Sequence, residues 1–259
     1  MVLEFLGTGT SQGVPVIGCT CMVCRSGDPR DKRLRTSAIV SQAGRQVLID
    51  AGPDMRQQLL RAGVRRLDAV LLTHEHMDHI AGLDEVRAFN FIQQRSMEVH
   101  ANAATLDAVR RVYSYAFARD RYPGVPDLDL HEVGDAPFLA GGLSVDPFKV
   151  LHHRMPVLGF RIGGLVYVTD AKTISPEVRD RIRGAEVLVL NALRKKPHIS
   201  HFNLDEALEM VEELRPGQAY LTHVSHLMGL HAEVEAGLPA HVRIAVDGLR
   251  VELPDAPTD

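Results

Sequence analysis

The segment LLTHEHMDHIAGL, residues 71–83, places three histidines and an aspartate within six positions, directly after the apolar run LDAVLLT. No other feature limits the fold as tightly. A short apolar run of this kind reads as a buried strand. His74, His76, Asp78 and His79 therefore stand at a strand end, where the chain turns. Alternate residues of extended backbone project to one side, so His74 and His76 point together and Glu75 points away. Two imidazoles on one side chelate a metal ion, and Asp78 and His79, opening the next turn, can serve a second ion beside the first. Four unrelated polar residues in a surface loop have no reason to keep this H-x-H-x-D-H spacing.

The chain around the motif alternates between strand and helix patterns. Apolar runs at 2–6, 37–42, 46–50, 67–73, 97–101, 144–151, 159–162, 165–169, 186–191, 218–222 and 242–252 predict strands. Gly163-Gly164 is spaced as the two-residue turn of one hairpin, and Asp247-Gly248 as that of a second, within 242–252. Helical periodicity covers 54–62, 82–92, 103–117, 176–183 and 204–214. Asn203 and Glu206 have capping-box spacing at the start of the last helix, and Pro216-Gly217 closes it. A strand-rich first half, then helices, then a repeat of the pattern predicts an α/β fold of two sheets packed face to face, helices outside, in a single domain. Residues 117–137 read as a long excursion over a site, and the tail PDAPTD as a fraying end.

THEHMDHIAG resembles the signature of the metallo-β-lactamase superfamily. That resemblance implies further ligands at later strand ends. VTDA offers Asp170 as a carboxylate bridging two metals, and YLTHVSH offers His223. KVLHHRMPVLGF offers His152 or His153; His152 is preferred, because in a strand it shares a face with Phe148 and Val150.

The N-terminal stretch FLGTGTSQGVPVIGCTCMVC carries glycines at 7, 9 and 13, but no helix follows, so a dinucleotide-binding loop is a poor reading. The three cysteines, Cys19, Cys21 and Cys24, fall in one six-residue window. An odd, clustered set argues against a disulfide framework and for metal. A structural zinc needs four ligands, and His226, three residues past His223, can complete a Cys3His set.

The whole pattern resembles the PhnP-like phosphodiesterases of the carbon–phosphorus lyase pathway. The resemblance runs from Leu3 to about Leu253 and rests on GTGTSQGVPVIGCTCMVC, THEHMDHIAG, Asp170, HFNL at 201–204, LTHVSH and the closing VDG. It implies a four-layer αββα sandwich and hydrolysis of phosphoribosyl 1,2-cyclic phosphate or 2′,3′-cyclic nucleotides. It also implies two catalytic divalent ions, zinc or manganese, and a structural zinc on Cys19, Cys21, Cys24 and His226. Asp78 and His201 are the catalytic candidates: Asp78 among the ligands of a metal pair that holds the attacking hydroxide, His201 as proton donor to the leaving alkoxide or as phosphate holder.

A tRNA 3′-processing endonuclease of the same superfamily shares the metal motif, but no long basic insertion punctuated by glycine and proline is visible. A metal-binding sensor that has lost turnover is the non-enzymatic alternative, and the complete ligand set argues against it. The net charge of −4 supplies no global basic field for nucleic acid. Arg194-Lys195-Lys196, followed by His198, is a local basic exception, either a solvated loop or an edge that recruits anions. The opening MVLEFLGTGT reads as a strand and turn rather than a signal peptide, and no apolar stretch spans a bilayer, so a cytoplasmic protein with a small anionic substrate is expected. Both monomer and homodimer stay open.

Overall fold

The computed structural model describes residues 1–255; of the tail, Pro254 and Asp255 are exposed and the remainder lies outside the described residues. Six strands come first: β1 (Val2–Gly7), β2 (Ser37–Gln42), β3 (Arg45–Ile49), β4 (Ala69–Leu71), β5 (Met97–Ala101) and β6 (Leu128–Glu132). Seven follow: β7 (Phe138–Ala140), β8 (Leu143–His152), β9 (Met155–Ile162), β10 (Leu165–Tyr167), β11 (Val187–Asn191), β12 (Gln218–Thr222) and β13 (Val242–Ile244). A last strand, β14 (Arg250–Glu252), returns to the first group. The result is two seven-stranded sheets, ordered β14-β1-β2-β3-β4-β5-β6 and β13-β12-β11-β10-β9-β8-β7.

Period-two alternation decides which layer each apolar side chain joins. Leu3 and Phe5 face the second sheet, whereas Leu6, past the irregularity between Phe5 and Gly7, faces the outer helices. Val47 and Ile49 face inward and Leu48 outward; Val187 and Val189 face inward, Leu188 and Leu190 outward. Because both faces of each sheet are covered, the central strands read as continuous apolar runs. Fully buried Phe5, Phe160 and Tyr167 anchor the layer between the sheets.

Eight helices occur among the described residues: α1 (Met22–Arg25), α2 (Met55–Arg61), α3 (Met77–Ile80), α4 (Arg87–Gln93), α5 (Ala103–Val112), α6 (Pro176–Ile182), α7 (Leu204–Leu214) and α8 (His231–Glu235). α2, α4 and α5 cover the outside of the first sheet, and α6 and α7 the outside of the second. This is the expected αββα sandwich. The Asn203 capping box opens α7 with both reciprocal bonds at 2.9 Å.

Two expectations need correction. Asp247-Gly248 does not turn a hairpin, because β13 belongs to the second sheet and β14 to the first. The Asp247 carboxylate instead accepts from the Thr8 amide at 2.9 Å, the Thr8 hydroxyl at 2.7 Å and the Leu34 amide at 2.7 Å, tying the crossing between sheets. The predicted excursion at 117–137 is likewise shorter than expected. Its Leu128–Glu132 portion is β6, paired in parallel with β5 at the sheet edge. The Gly163-Gly164 hairpin forms as expected, with Leu165 opposite Ile162.

Candidate metal centres

The strands deliver their ends to one rim of the sandwich. His74 follows β4, Asp50 follows β3, Asp170 follows β10 and His223 follows β12, while His152 ends β8. Asp50, Asp170 and His223 adopt positive φ of 63°, 57° and 56°, so each chain turns sharply as it leaves its strand. Left-handed backbone at non-glycine residues is costly and gathers at functional sites. The turn after β3 also needs a glycine: a methyl group on Gly52 would lie 2.1 Å from the Asp78 carbonyl oxygen, so the backbone of α3 can approach only there.

At the rim, His74 Nε2 and His76 Nδ1 stand 3.0 Å apart. Two nitrogens sharing one tetrahedral zinc at its usual bond length lie about 3.3 Å apart. His79 Nε2 lies 3.1 Å from Asp78 and 3.3 Å from Asp170. His223 Nε2 lies 3.3 Å from Asp170 and 3.6 Å from Asp78. Asp170 thus turns one carboxylate oxygen to each imidazole. Three sets have donor atoms mutually within 4.8 Å: His74, His79 and Asp170; Asp78, His79 and His223; His152, Asp170 and His201. His152 is buried and its ring touches those of His74, His76 and His201, whereas His153 is exposed at the hairpin tip. His201, expected beside the metals, reaches into the third set: its Nε2 donates to Asp170 at 2.8 Å.

The electrostatics are those of a site that concentrates charge. Burial opposes ionisation of Asp170, yet the His223 and His79 imidazoles and the His201 hydrogen bond hold it well below the ordinary carboxylate range. Burial likewise opposes a charge on His79, but Asp50 and Asp170 outweigh it and hold His79 well above the usual imidazole range. Burial and the neighbouring His79 push His74 well down. His201 falls to about 4, again by burial, against the pull of Asp170. The fit to a cation is tested by what stays unpaired. His79 Nε2 and both ring nitrogens of His223 are buried without a hydrogen-bond partner. Orphaned buried polar atoms are expensive in a protein interior; divalent ions held among Asp78, Asp170 and these imidazoles would take up the lone pairs of the Nε2 atoms.

Asp50 belongs to the site although the motifs do not single it out. It accepts from His79 Nδ1 at 2.7 Å, from the Thr73 amide at 2.8 Å and from the Thr73 hydroxyl at 2.9 Å. A carboxylate only accepts, so Nδ1 of His79 carries hydrogen and Nε2 faces Asp78 and Asp170. The available signal is its place at the end of the run QVLID, the same strand-end position that Asp170 and His223 occupy. In the same way, His152 Nδ1 donates to the Ser200 carbonyl at 2.8 Å, leaving its Nε2 free.

A second cluster stands apart. Cys19 and Cys21 Sγ lie 3.4 Å and 3.3 Å from His226 Nδ1, and the four donor atoms of Cys19, Cys21, Cys24 and His226 are mutually within 4.8 Å. The Cys24 amide donates to Cys21 Sγ and the Val16 amide to Cys24 Sγ, each at 3.4 Å. The first of these bonds, with His226, lowers the Cys21 thiol to about 6, while burial raises Cys24 to about 11. Three soft sulfur donors and one imidazole suit a structural zinc.

Residues 45–224 match the profile of the beta-lactamase superfamily domain. A crystal structure of a diphosphatase from the PhnP family superposes with a TM-score of 0.91 at 39% identity, covering 96% of this chain and 96% of that one. The chain belongs to the metallo-β-lactamase superfamily and, within it, to the PhnP family. It has the metallo-β-lactamase fold. An octanoyltransferase of Porphyromonas gingivalis is 44% identical over 247 residues, 94% of this chain and 50% of that protein. A ribonuclease Z of Bradyrhizobium diazoefficiens is 35% identical over 137 residues, 51% of this chain and 45% of that protein. The chain spans about half the length of the curated relatives it matches.

Proposed function

We propose that the protein hydrolyses cyclic ribose phosphates, phosphoribosyl 1,2-cyclic phosphate or 2′,3′-cyclic nucleotides, as a metal-dependent phosphodiesterase. One observation carries the reading: a hydrogen-bearing imidazole, His201, stands against the central carboxylate Asp170, at the end of the loop that contains Arg194, Lys195 and Lys196. That is the equipment for an anionic ester with an alkoxide leaving group. His74, His76, Asp78, His79, His152, Asp170 and His223 would hold two divalent ions, zinc or manganese, and Cys19, Cys21, Cys24 and His226 a zinc. When bound, the central pair supplies a water of lowered pKa and positive charge for the phosphoryl oxygens.

The chain's own residues do the rest. Asp50 fixes the His79 ring, and Ser200, through its carbonyl, fixes His152. Asp170 holds the Nε2 hydrogen of His201 in the site. As the water oxygen bonds to phosphorus and the ring P–O bond breaks, the water gives up one proton and the departing ribose oxygen takes one up, with His201 Nε2 placed to relay it and left neutral at the end. The octanoyl transfer named for the P. gingivalis relative belongs to a protein half of which lies outside the match, and the clustered imidazole and carboxylate donors support hydrolysis for this chain.

The test compares wild type and His201→Ala on both cyclic phosphates and on a precursor tRNA, with bound metal measured alongside. His201→Ala should lower kcat by roughly 10²–10⁴-fold at unchanged metal content. Cleavage of tRNA without cyclic phosphate hydrolysis would overturn the assignment in favour of the endonuclease reading. No turnover of any diester by fully metal-loaded protein would favour a sensor, and metal loss in the variant would make His201 a ligand.

A further inference from the structure

A surface helix ordinarily turns its apolar stripe to the core and its polar face to water. α4 does the reverse. The Asn90 side chain donates to the carbonyls of Arg95 at 2.9 Å and Asp127 at 3.0 Å and accepts from the Asp127 amide at 3.0 Å. The Gln93 side chain accepts from the Leu67 amide at 2.8 Å and donates to the Leu67 carbonyl at 2.9 Å. The polar side chains are thus spent on the segments just before β4, β5 and β6. Of the apolar ones only Phe89 is buried. Ala88, Phe91 and Ile92, at i, i+3 and i+4, share the outer face, with Phe91 59% and Ile92 69% exposed. The neighbouring α2 adds Leu60, 64% exposed. Between the two helices runs a groove of about 450 Å³ with Leu60, Val64, Ala88 and Ile92 in its walls.

The rim of this groove carries both signs of charge, and neither is satisfied. Arg56 and Arg65 on the α2 side, and Glu85 just before α4, have no ion pair or side-chain hydrogen bond among the described residues. Charges next to them are paired: Arg87 binds Asp84 at 3.3 Å, and Arg66 binds Asp68 at 2.7 Å. A partner of a single sign would leave one of the two unanswered. A second copy answers both, because under a two-fold axis Glu85 of each copy meets Arg56 or Arg65 of the other. We propose that the outer face of α2 and α4 is the contact between two copies of this chain. Leu60, Phe91 and Ile92 form its apolar centre, and Arg56, Arg65 and Glu85 its polar rim, the arrangement usual for such contacts. Neither the central nor the cysteine cluster contributes a residue to the groove, so each copy keeps complete metal-ligating sets.

Sedimentation of the full metal-loaded chain across a range of concentrations tests this. Wild type should reach a species of twice the 28.5 kDa chain mass. Leu60→Asp combined with Ile92→Asp, both at exposed positions, should weaken association by roughly 100-fold or more, the scale of losing central contacts. Bound metal should stay unchanged, which reports an intact sandwich. The rim gives the sharper test. Glu85→Arg alone makes the rim wholly positive, and Arg56→Glu with Arg65→Glu makes it wholly negative. Each should weaken self-association by roughly tenfold or more, because like charges then face each other at both symmetric positions. An equimolar mixture of these two variants should restore the dimer as a mixed pair. Wild type that stays monomeric at every concentration would overturn the proposal, as would a dimer that the Leu60 and Ile92 changes leave intact. A dimer indifferent to the charge changes, with no gain on mixing, would overturn the two-fold pairing. Monomeric wild type that sediments with phosphatidylglycerol vesicles, when the Leu60 and Ile92 variant does not, would reassign the face to a membrane surface.

Discussion

The cysteine cluster and the central cluster solve the same problem by opposite routes. Three of the four donors in the first lie within one six-residue window, Cys19 and Cys21 on the turn leading into α1 and Cys24 within it, and only His226 arrives from a distant part of the chain. The central donors come from the ends of β4, β8, β10 and β12 and from α3, so they meet only when both sheets have formed. The first site is half-exposed and built from soft thiols; the second, apart from exposed His76 and half-buried Asp78, is buried and built from imidazoles and carboxylates. A local site can stabilise the segment that carries it, whereas a site assembled from the whole fold depends on stability earned elsewhere. Damage to the first should therefore be read in stability, and damage to the second in turnover.

The largest expected effect follows from removing Asp170, which faces His79, His201 and His223 together. Asp170→Ala should reduce kcat by more than the roughly 10²–10³-fold typical of losing one charge-stabilising donor, with circular dichroism unchanged. Wild-type turnover in this variant would show that the central cluster is not the reaction centre. Asp50→Asn should come next. It keeps the shape but weakens the grip on His79 Nδ1, and such supporting changes typically cost about 10–100-fold in metal affinity or activity. Equilibrium dialysis against zinc would register it; unaltered affinity would reduce Asp50 to a structural residue.

Why Asp50 escapes a reading of motifs is instructive. Apolar alternation makes the strands legible, since each side chain must join one of three layers, and a dense motif such as THEHMDHIAG shows its chemistry by spacing alone. Asp50 has no such neighbours: its role depends on a left-handed turn and on the 2.7 Å approach of His79. The same limit explains Asp247-Gly248. Those residue types commonly turn a hairpin, but which sheet takes each flanking strand is decided by the partners of the Asp247 carboxylate, Thr8 and Leu34, more than 200 residues away in the chain. Leu128–Glu132 is an edge strand with no fully buried residue, so its apolar signal is too weak to stand out from a loop.

At the cysteine cluster, Cys24→Ala should release one zinc and lower Tm by roughly 5–10 °C, equivalent to ~2–3 kcal/mol for a chain of this size. Turnover should fall far less than in Asp170→Ala. The coupling between the clusters sets how much less: Val224 donates its amide to Thr8 O at 2.9 Å, and this short segment joins His223 to His226. If Cys24→Ala leaves Tm unchanged, the thiols are not structural; if it silences turnover as fully as Asp170→Ala, the two clusters are one unit.

The smallest effect concerns the protein with its central cluster stripped of metal. His79 is held above the ordinary imidazole value, so the folded state keeps a proton that the unfolded chain, near 6.5, gives up. The stability this contributes is complete below about pH 6.5 and is lost as pH rises through the folded value. His201 works in the other direction. Lowered to about 4, it takes up its proton later than the unfolded chain does, so stability is present above about 6.5 and lost as pH falls through 4. His74, also pushed down, adds to that acid limb. Stripped protein should therefore be most stable near pH 6.5 and weaken on both sides, by at most about 1.4 kcal/mol per pH unit for each proton involved. Urea midpoints across this range, with chelator present, would show the maximum. His201→Gln should make the acid limb shallower, leaving the part due to His74, and leave the alkaline one. Restoring metal should remove the alkaline limb, because a cation among Asp78, His79 and Asp170 then does what the proton on His79 did. A flat profile in stripped protein, or an alkaline limb that persists with metal bound, would show that these imidazoles do not exchange protons for metal.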